Sequence, residues 1–340
     1  MATKLTPFSR LLIVLVLLAG LFFLGKKFIP QFGSKMEMPS AASTTSTNGA
    51  STNTPTGNTA STSSSTAAPA STKHFEYNAP TPMGGKLKGV VELGATGFNS
   101  FIITADANKN WKLEKADFGT SLVYEKLATD QDVKDGLKKY IADMLAFGVS
   151  PKDIHFVISS GAQKVDITKK ITDYLKSMKY FVNEVTAEKE GQLGYQSVMP
   201  QGYEQSSFVA DIGSGNTKIA WKENGALKAM ESYGSKYFQN NITDDQAYST
   251  IRGKAAQVPA TLRKTCFIIG GVPFEFAKQV RNGKERFTVL NAPDKYTPAD
   301  ARGKCGQNIY KAIADATGCQ QFVFDWDANF TIGFLLGLPN

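Results

Sequence analysis

Two apolar patterns take turns along the chain from about residue 84 onward. Compact apolar runs bounded by turn residues predict buried strands, as in "KLKGVVELG" (Lys86 to Gly94) and "IHFVIS" (Ile154 to Ser159). Elsewhere apolar residues recur at helical spacing. Val133, Leu137, Ile141 and Leu145 lie four apart and predict one helical face, which Gly148 ends. Ile167, Ile171 and Leu175 predict the face of a second helix. The first strand has a hairpin partner in "FNSFIITAD" and a third strand in "NWKLEKADFGTSL". Further on, "FVNEVT" predicts a strand and "AEKEGQLGYQSVM" a helix.

The order then starts again. "SFVADIG", "TKIAWKENG" and "ALKAMESYG" predict three strands joined by tight turns, and "DDQAYSTIRGKAAQV" a helix. "TCFIIGG" predicts a strand, and "VPFEFAKQVRNG" a helix with Pro273 in its first turn. "TPADARGKCGQNIYKAIADATG" predicts a long helix behind a Thr297 cap, "QQFVFDW" a strand and "NFTIGFLLGL" a closing helix. A hairpin-led βββαβα pattern thus occurs twice, from about residue 86 and from about residue 206. This is the signature of an α/β fold made of two duplicated domains.

The first part of the chain has a different character. Leu11 to Gly25 is continuously apolar, closed by Arg10 on one side and Lys26 and Lys27 on the other. The run is short for a bilayer crossing, which takes about 20 residues. No small-x-small cleavage site follows it, so an uncleaved single-pass anchor is expected rather than a cleaved signal. Lys4 and Arg10 before the span balance Lys26, Lys27 and Lys35 after it, so the positive-inside rule leaves the side of the membrane open. Ala41 to Thr72 carries no charge and no aromatic residue and is expected to be a disordered tether. Its Ser/Thr/Pro composition leans toward an extracytoplasmic location. The expected division is an anchor over residues 1–35 and a linker over 36–84. Domains over 85–205 and 206–340 follow, the last helix being a candidate to return to the first domain.

Composition narrows the chemistry. The formal charge of +8 is spread out, with no basic run, so nucleic acid is not an expected partner. The chain has two histidines, His74 and His155, and three cysteines, Cys266, Cys305 and Cys319. A zinc site or a histidine-based triad is not expected from so few. Cys305 and Cys319 pair in one reading, and all three thiols are free in the other.

Two glycine loops stand out. "VVELGATGF" (Val90 to Phe98) and "VADIGSGNT" (Val209 to Thr217) each join an apolar strand, a carboxylate and a turn rich in Gly and Thr, and each opens one copy of the repeat. Glycines let backbone N–H groups approach a phosphate closely. Thr96, Ser214 and Thr217 add hydroxyl donors beside Gly94, Gly97, Gly213 and Gly215. Glu92 and Asp211, at the strand ends, have the chemistry to hold a hydrated Mg²⁺ against that phosphate. "IIGG" (Ile268 to Gly271) places Gly270 and Gly271 before a helix, a third element that lets the backbone approach a flat or anionic ligand.

This set resembles the actin, sugar-kinase and heat-shock-ATPase superfamily. Within it, the chain is most similar to the exopolyphosphatase and guanosine pentaphosphate phosphohydrolase family. The likeness is carried by "FVNEVTAEKEGQLGYQSV" followed by "FVADIGSGNTKIAW", with "ISSGAQKVDITKKITDYLKS" before them, and extends over about residues 88 to 340. It implies duplicated RNase H-like domains around a central cleft. It also implies Glu190 as the general base that activates water, Asp211 as the carboxylate of the second loop, and Mg²⁺ as cofactor. Three positions depart from the family pattern: Glu92 for Asp, Lys218 for Glu, and Lys164 for Arg. The expected function is a membrane-tethered phosphohydrolase of polyphosphate or guanosine polyphosphate. The alternatives are a non-catalytic sensor of a phosphate-rich anion or nucleotide, and an actin-like scaffold; a homodimer is left open.

Overall fold

The computed structural model describes residues 74–94, 97–118, 130–163 and 166–339. The expected anchor and stalk, Thr96 and Lys164 lie outside the described residues. Among the described residues no helix is long and apolar enough to cross a membrane.

The first sheet is built on β1 (Lys86–Gly94), which pairs antiparallel with β2 (Gly97–Ala105), itself antiparallel to β3 (Trp111–Phe118). After helix α1 (Asp130–Phe147), β4 (Ile154–Ile158) lies parallel to β1. After α2 (Asp166–Ser177), the short β5 (Val182–Glu184) lies parallel to β4, so the order is β3-β2-β1-β4-β5. The second sheet repeats this plan. The strands β6 (Ser207–Ile212), β7 (Asn216–Glu223) and β8 (Ala226–Tyr233) form the antiparallel meander. Helix α4 (Asp244–Ala255) leads to β9 (Thr265–Ile269), parallel to β6. Helices α5 (Gly271–Val280) and α6 (Ala301–Thr317) flank β10 (Phe287–Val289) and precede β11 (Gln321–Asp325), giving the order β10-β11-β9-β6-β7-β8. The three-residue β10 is too short to leave a pattern in the sequence.

Both central strands are buried on two faces, which is why they read as continuous apolar runs rather than alternating ones. On β1, Val91 and Leu93 pack with Leu137 and Met144 of α1 and with Ile171 and Leu175 of α2. Val90 on the other face packs with Leu193, Phe330 and Leu335. Those three come from two helices that cross between the sheets, α3 (Ala187–Val198) and α7 (Phe330–Leu336). Helix α3 lies on β6, β7 and β8, whereas α7, the last element of the chain, lies on β1 and β2; the two also pack on each other. Buried Lys88 holds α7 in place, its ammonium donating to the carbonyls of Leu338 and Pro339, each at 3.2 Å. A cation suits the carbonyl end of a helix.

Three local expectations are corrected. The apolar stripe of α1 continues through Met144, 1 % exposed, rather than Leu145, 41 % exposed. A four-residue spacing overshoots the 3.6-residue turn, so the stripe drifts off the buried face. The N-cap of α6 is Asp300, whose carboxylate accepts from Gly303 N, rather than Thr297. Phe75 and Tyr77, expected as linker, are packed: Phe75 is buried against Tyr203, Phe267 and Phe287 at centroid distances of 5.3–5.4 Å, and Tyr77 is half-buried. Phe75 and Tyr77 supply the aromatic surface that the preceding Ser/Thr stretch lacks. All three cysteines are free thiols.

Candidate functional site

The parallel strands of both sheets end at one cleft of about 330 Å³ between the two halves. The first half lines it with Glu92 and Gly94 from β1, Asn99 from β2, and Ser159 and Gly161 after β4. The second half contributes Asp211 at the end of β6, the turn Gly213–Ser214–Gly215, then Asn216 and Lys218 of β7. Gly270 and Gly271 lie at the start of α5, with Arg302 beside them. Gly270 has φ +109°, and a β-carbon there would sit 2.3 Å from the Ile212 carbonyl oxygen. The glycine lets the N-terminus of α5 press against the end of β6, so that helical N–H groups face the cleft. Lys236 adds a nearby cation, its pKa lowered by burial and by the charge of Arg302.

Of the residues expected from the sequence, Glu92, Gly94, Glu190, Asp211, Gly213, Ser214, Gly215, Gly270 and Gly271 all line this cleft. Gly97 closes the β1–β2 hairpin opposite Gly94 and does not line it. Thr217 is fully buried outside the lining, its hydroxyl without a partner. Alternation along β7 gives the cleft face to Asn216 and Lys218 instead.

Glu190 sits in the first turn of α3, behind the Thr186 cap, and is 2 % exposed. One carboxylate oxygen accepts from Ser160 N at 2.8 Å and from Ser160 Oγ at 2.6 Å. The other accepts from the ammonium of Lys218, whose Nζ is also 3.9 Å from Asp211 Oδ2. Gly191 allows this approach: a β-carbon there would meet Ala229 Cβ at 2.8 Å and Lys218 Cβ at 3.2 Å. Burial pushes the Lys218 ammonium toward its neutral form, but the charges of Glu190 and Asp211, the hydrogen bond to Glu190 and the charge of Glu92 outweigh it, leaving its pKa raised. Burial raises the pKa of Asp211, partly offset by Lys218. Burial also pushes Glu92 up to about 7, against the hydrogen bonds it accepts from Asn99 and Asn329, each at 3.0 Å.

No protein-family model matches the chain, and no curated protein matches it in sequence. Solved structures do match. The Aquifex aeolicus PPX-GPPA enzyme superposes at TM-score 0.57 and 12% identity, over 74% of this chain and 99% of that one. An exopolyphosphatase from Cytophaga hutchinsonii superposes at TM-score 0.57 and 13% identity, over 75% and 99%. This chain has the actin-like ATPase fold. The two sheets are its duplicated halves, and the cleft lies between them.

On this actin-like frame the expected metal does not fit. Glu92, Glu190 and Asp211 all line the cleft, but the Lys218 ammonium occupies one oxygen of Glu190, Ser160 the other, and Asn99 and Asn329 share one of Glu92. Among the described residues no group of three or more Asp, Glu, His or Cys is arranged to hold a metal ion. Nor is Glu190 placed as a free base, since both its oxygens already accept hydrogen bonds.

The sequence reading missed several cleft residues. Asn216 Nδ2 donates to Ser160 Oγ at 2.8 Å and to Glu231 Oε1 at 2.7 Å, tying the second half to the first. Phe118 of β3, 63 % exposed, faces Phe274 of α5 at 6.1 Å, and Phe274 meets Trp326 at 5.3 Å, so one end of the cleft has an aromatic wall. Only the charge reversal at Lys218 left a signal in the sequence.

Proposed function

We propose that this chain binds a phosphate-bearing anion in its cleft without a divalent metal and does not hydrolyse it: a sensor or binding module on an actin-like frame. The observation that carries this reading is Lys218, buried between Glu190 and Asp211. The ammonium offsets the carboxylates at the floor of the cleft, the task a metal would otherwise perform, and Arg302 and the start of α5 supply the positive charge at its side that an anion meets. The ligand classes that suit this chemistry are polyphosphate and nucleoside or guanosine polyphosphates. The anchor expected of the N-terminal segment would hold the module at a membrane.

Hydrolysis is the competing reading, favoured by one observation: Glu190, Asp211 and Glu92 meet at the cleft as that chemistry requires. It needs Lys218 to release Glu190. A fragment covering the compact unit Pro69–Asn340 decides between them. Phosphate release from polyphosphate, ATP and guanosine pentaphosphate is followed with Mg²⁺, beside the melting temperature with EDTA. The expected result is a ligand-dependent rise in melting temperature that EDTA leaves unchanged, with no release. Mg²⁺-dependent release that Glu190→Gln abolishes would make the protein a phosphohydrolase.

A further inference from the structure

Lys218 does more than pair with one acid. Its side chain and that of Glu190 are each 3 % exposed, and it reaches toward Asp211 as well. The lysine is also boxed in. Its Cβ lies under α3, where a β-carbon on Gly191 would be only 3.2 Å away. Its Nζ lies 3.7 Å from the place a β-carbon would take on Gly213. The stem is therefore buried along its length, with its ammonium held in the acid cluster. A magnesium ion needs several oxygens at about 2.0–2.1 Å in near-octahedral geometry. The ammonium holds one of those oxygens and repels a second cation at close range.

We propose that Lys218 is the resident cation of this cleft, a covalently attached substitute for a divalent ion, and that it is the residue that denies the site to metals. A tethered ammonium is present at any ion concentration and needs no binding equilibrium of its own. With it in place, Glu190 and Asp211 serve to fix a lysine, and Glu92 adds its charge nearby. With an acid in its place, the same three carboxylates and the fourth make an oxygen-rich site for Mg²⁺ or Mn²⁺. This rests on the metal-free reading of the cleft above and identifies the atom responsible for it.

The test uses the full chain as wild type, Lys218→Glu and Lys218→Gln, with Mn²⁺ as the probe. Free Mn²⁺ is counted by its paramagnetic resonance signal, and melting temperature is followed against Mn²⁺ and Mg²⁺. Lys218→Glu reverses a charge beside the ion and is expected to raise Mn²⁺ affinity by about a hundredfold or more. One saturable site should appear, and adding Asp211→Asn should remove it. Two results overturn the proposal: a wild-type Mn²⁺ site that Asp211→Asn removes, or a folded Lys218→Glu with no Mn²⁺ site. If Lys218→Glu does not fold, Lys218→Gln decides by the same criteria, since it keeps a donor for Glu190 and removes the charge. Binding of inorganic triphosphate to the wild type is measured alongside. Its absence would sink the anion-binding function and leave the metal result to stand or fall by itself.

Discussion

Glu92 offers a prediction that depends on burial rather than on function. It is 9 % exposed, and its Oε2 accepts from Asn99 and Asn329 at 3.0 Å each. Burial, helped by the charges of Glu190 and Asp211, pushes it up to about 7 from an ordinary 4.5. In the unfolded chain Glu92 loses its proton near the ordinary value. Between there and about 7 the folded chain still holds the proton, so unfolding releases one. Stability from this group is therefore complete below about 4.5, falls as the pH rises, and is gone above about 7. At 1.36 kcal/mol per pH unit the whole span is worth about 3 kcal/mol. Glu92→Gln removes the titration and keeps an oxygen for the two asparagines. Its stability relative to wild type should improve by about 3 kcal/mol between about pH 4 and pH 8. Urea denaturation of the Pro69–Asn340 unit across that range reads the difference directly. Asp211 is present in both proteins and cancels to first order. Parallel stability profiles for the two proteins would refute the reasoning, because they would mean that Glu92 ionises in the fold as it does in water.

Other variants test the frame and the cleft. Phe75→Ala empties a buried aromatic cluster and should cost about 3 kcal/mol in urea denaturation; a loss within experimental error would return Phe75 and Tyr77 to linker. Gly191→Ala forces a methyl against Ala229 and Lys218, and overpacking of this kind should cost about 1–3 kcal/mol. Arg302→Gln removes a half-exposed cation beside the start of α5. It should weaken inorganic triphosphate binding about tenfold by calorimetry while leaving the denaturation midpoint unchanged.

Much of the fold was legible because its central strands are buried on both faces. β1, β4, β6, β9 and β11 read as apolar runs without needing tertiary context, and the two glycine loops marked equivalent ends of two of them. The helix carrying Glu190 was legible for another reason, its place between a short strand and the second glycine loop. What escaped was information held between elements. Sequence spacing does not say that Gly191 lets α3 settle on β7, so the meeting of Glu190 with Lys218 was invisible. The aromatic wall joins Phe118 to Phe274, residues far apart in the chain. Leu145 misled because a regular spacing of four is not quite the helical period. Thr217 misled because alternation along β7 had to give its side chain one face or the other, and the hairpin register decided which.

The arrangement around Glu190 recasts what that residue does. Through Ser160 it holds the loop after β4 in the first half; through Lys218 it holds β7 in the second; and Asn216 joins the same loop to Glu231. A carboxylate so placed is a tie between halves before it is a base. The two roles predict opposite consequences for Glu190→Gln. A glutamine oxygen still accepts from Ser160, but the ammonium of Lys218 is left with Asp211 at 3.9 Å as its nearest acid. Removing one member of a buried ion pair costs about 3–5 kcal/mol, because the remaining charge stays buried. The tie therefore predicts a large loss of stability, with triphosphate binding weakened as the two halves loosen. A catalytic base predicts the reverse: stability kept or improved, since an active-site charge has been removed, and turnover lost. Denaturation and phosphate release on the same preparation separate the two, and a Glu190→Gln protein as stable as wild type would refute the tie.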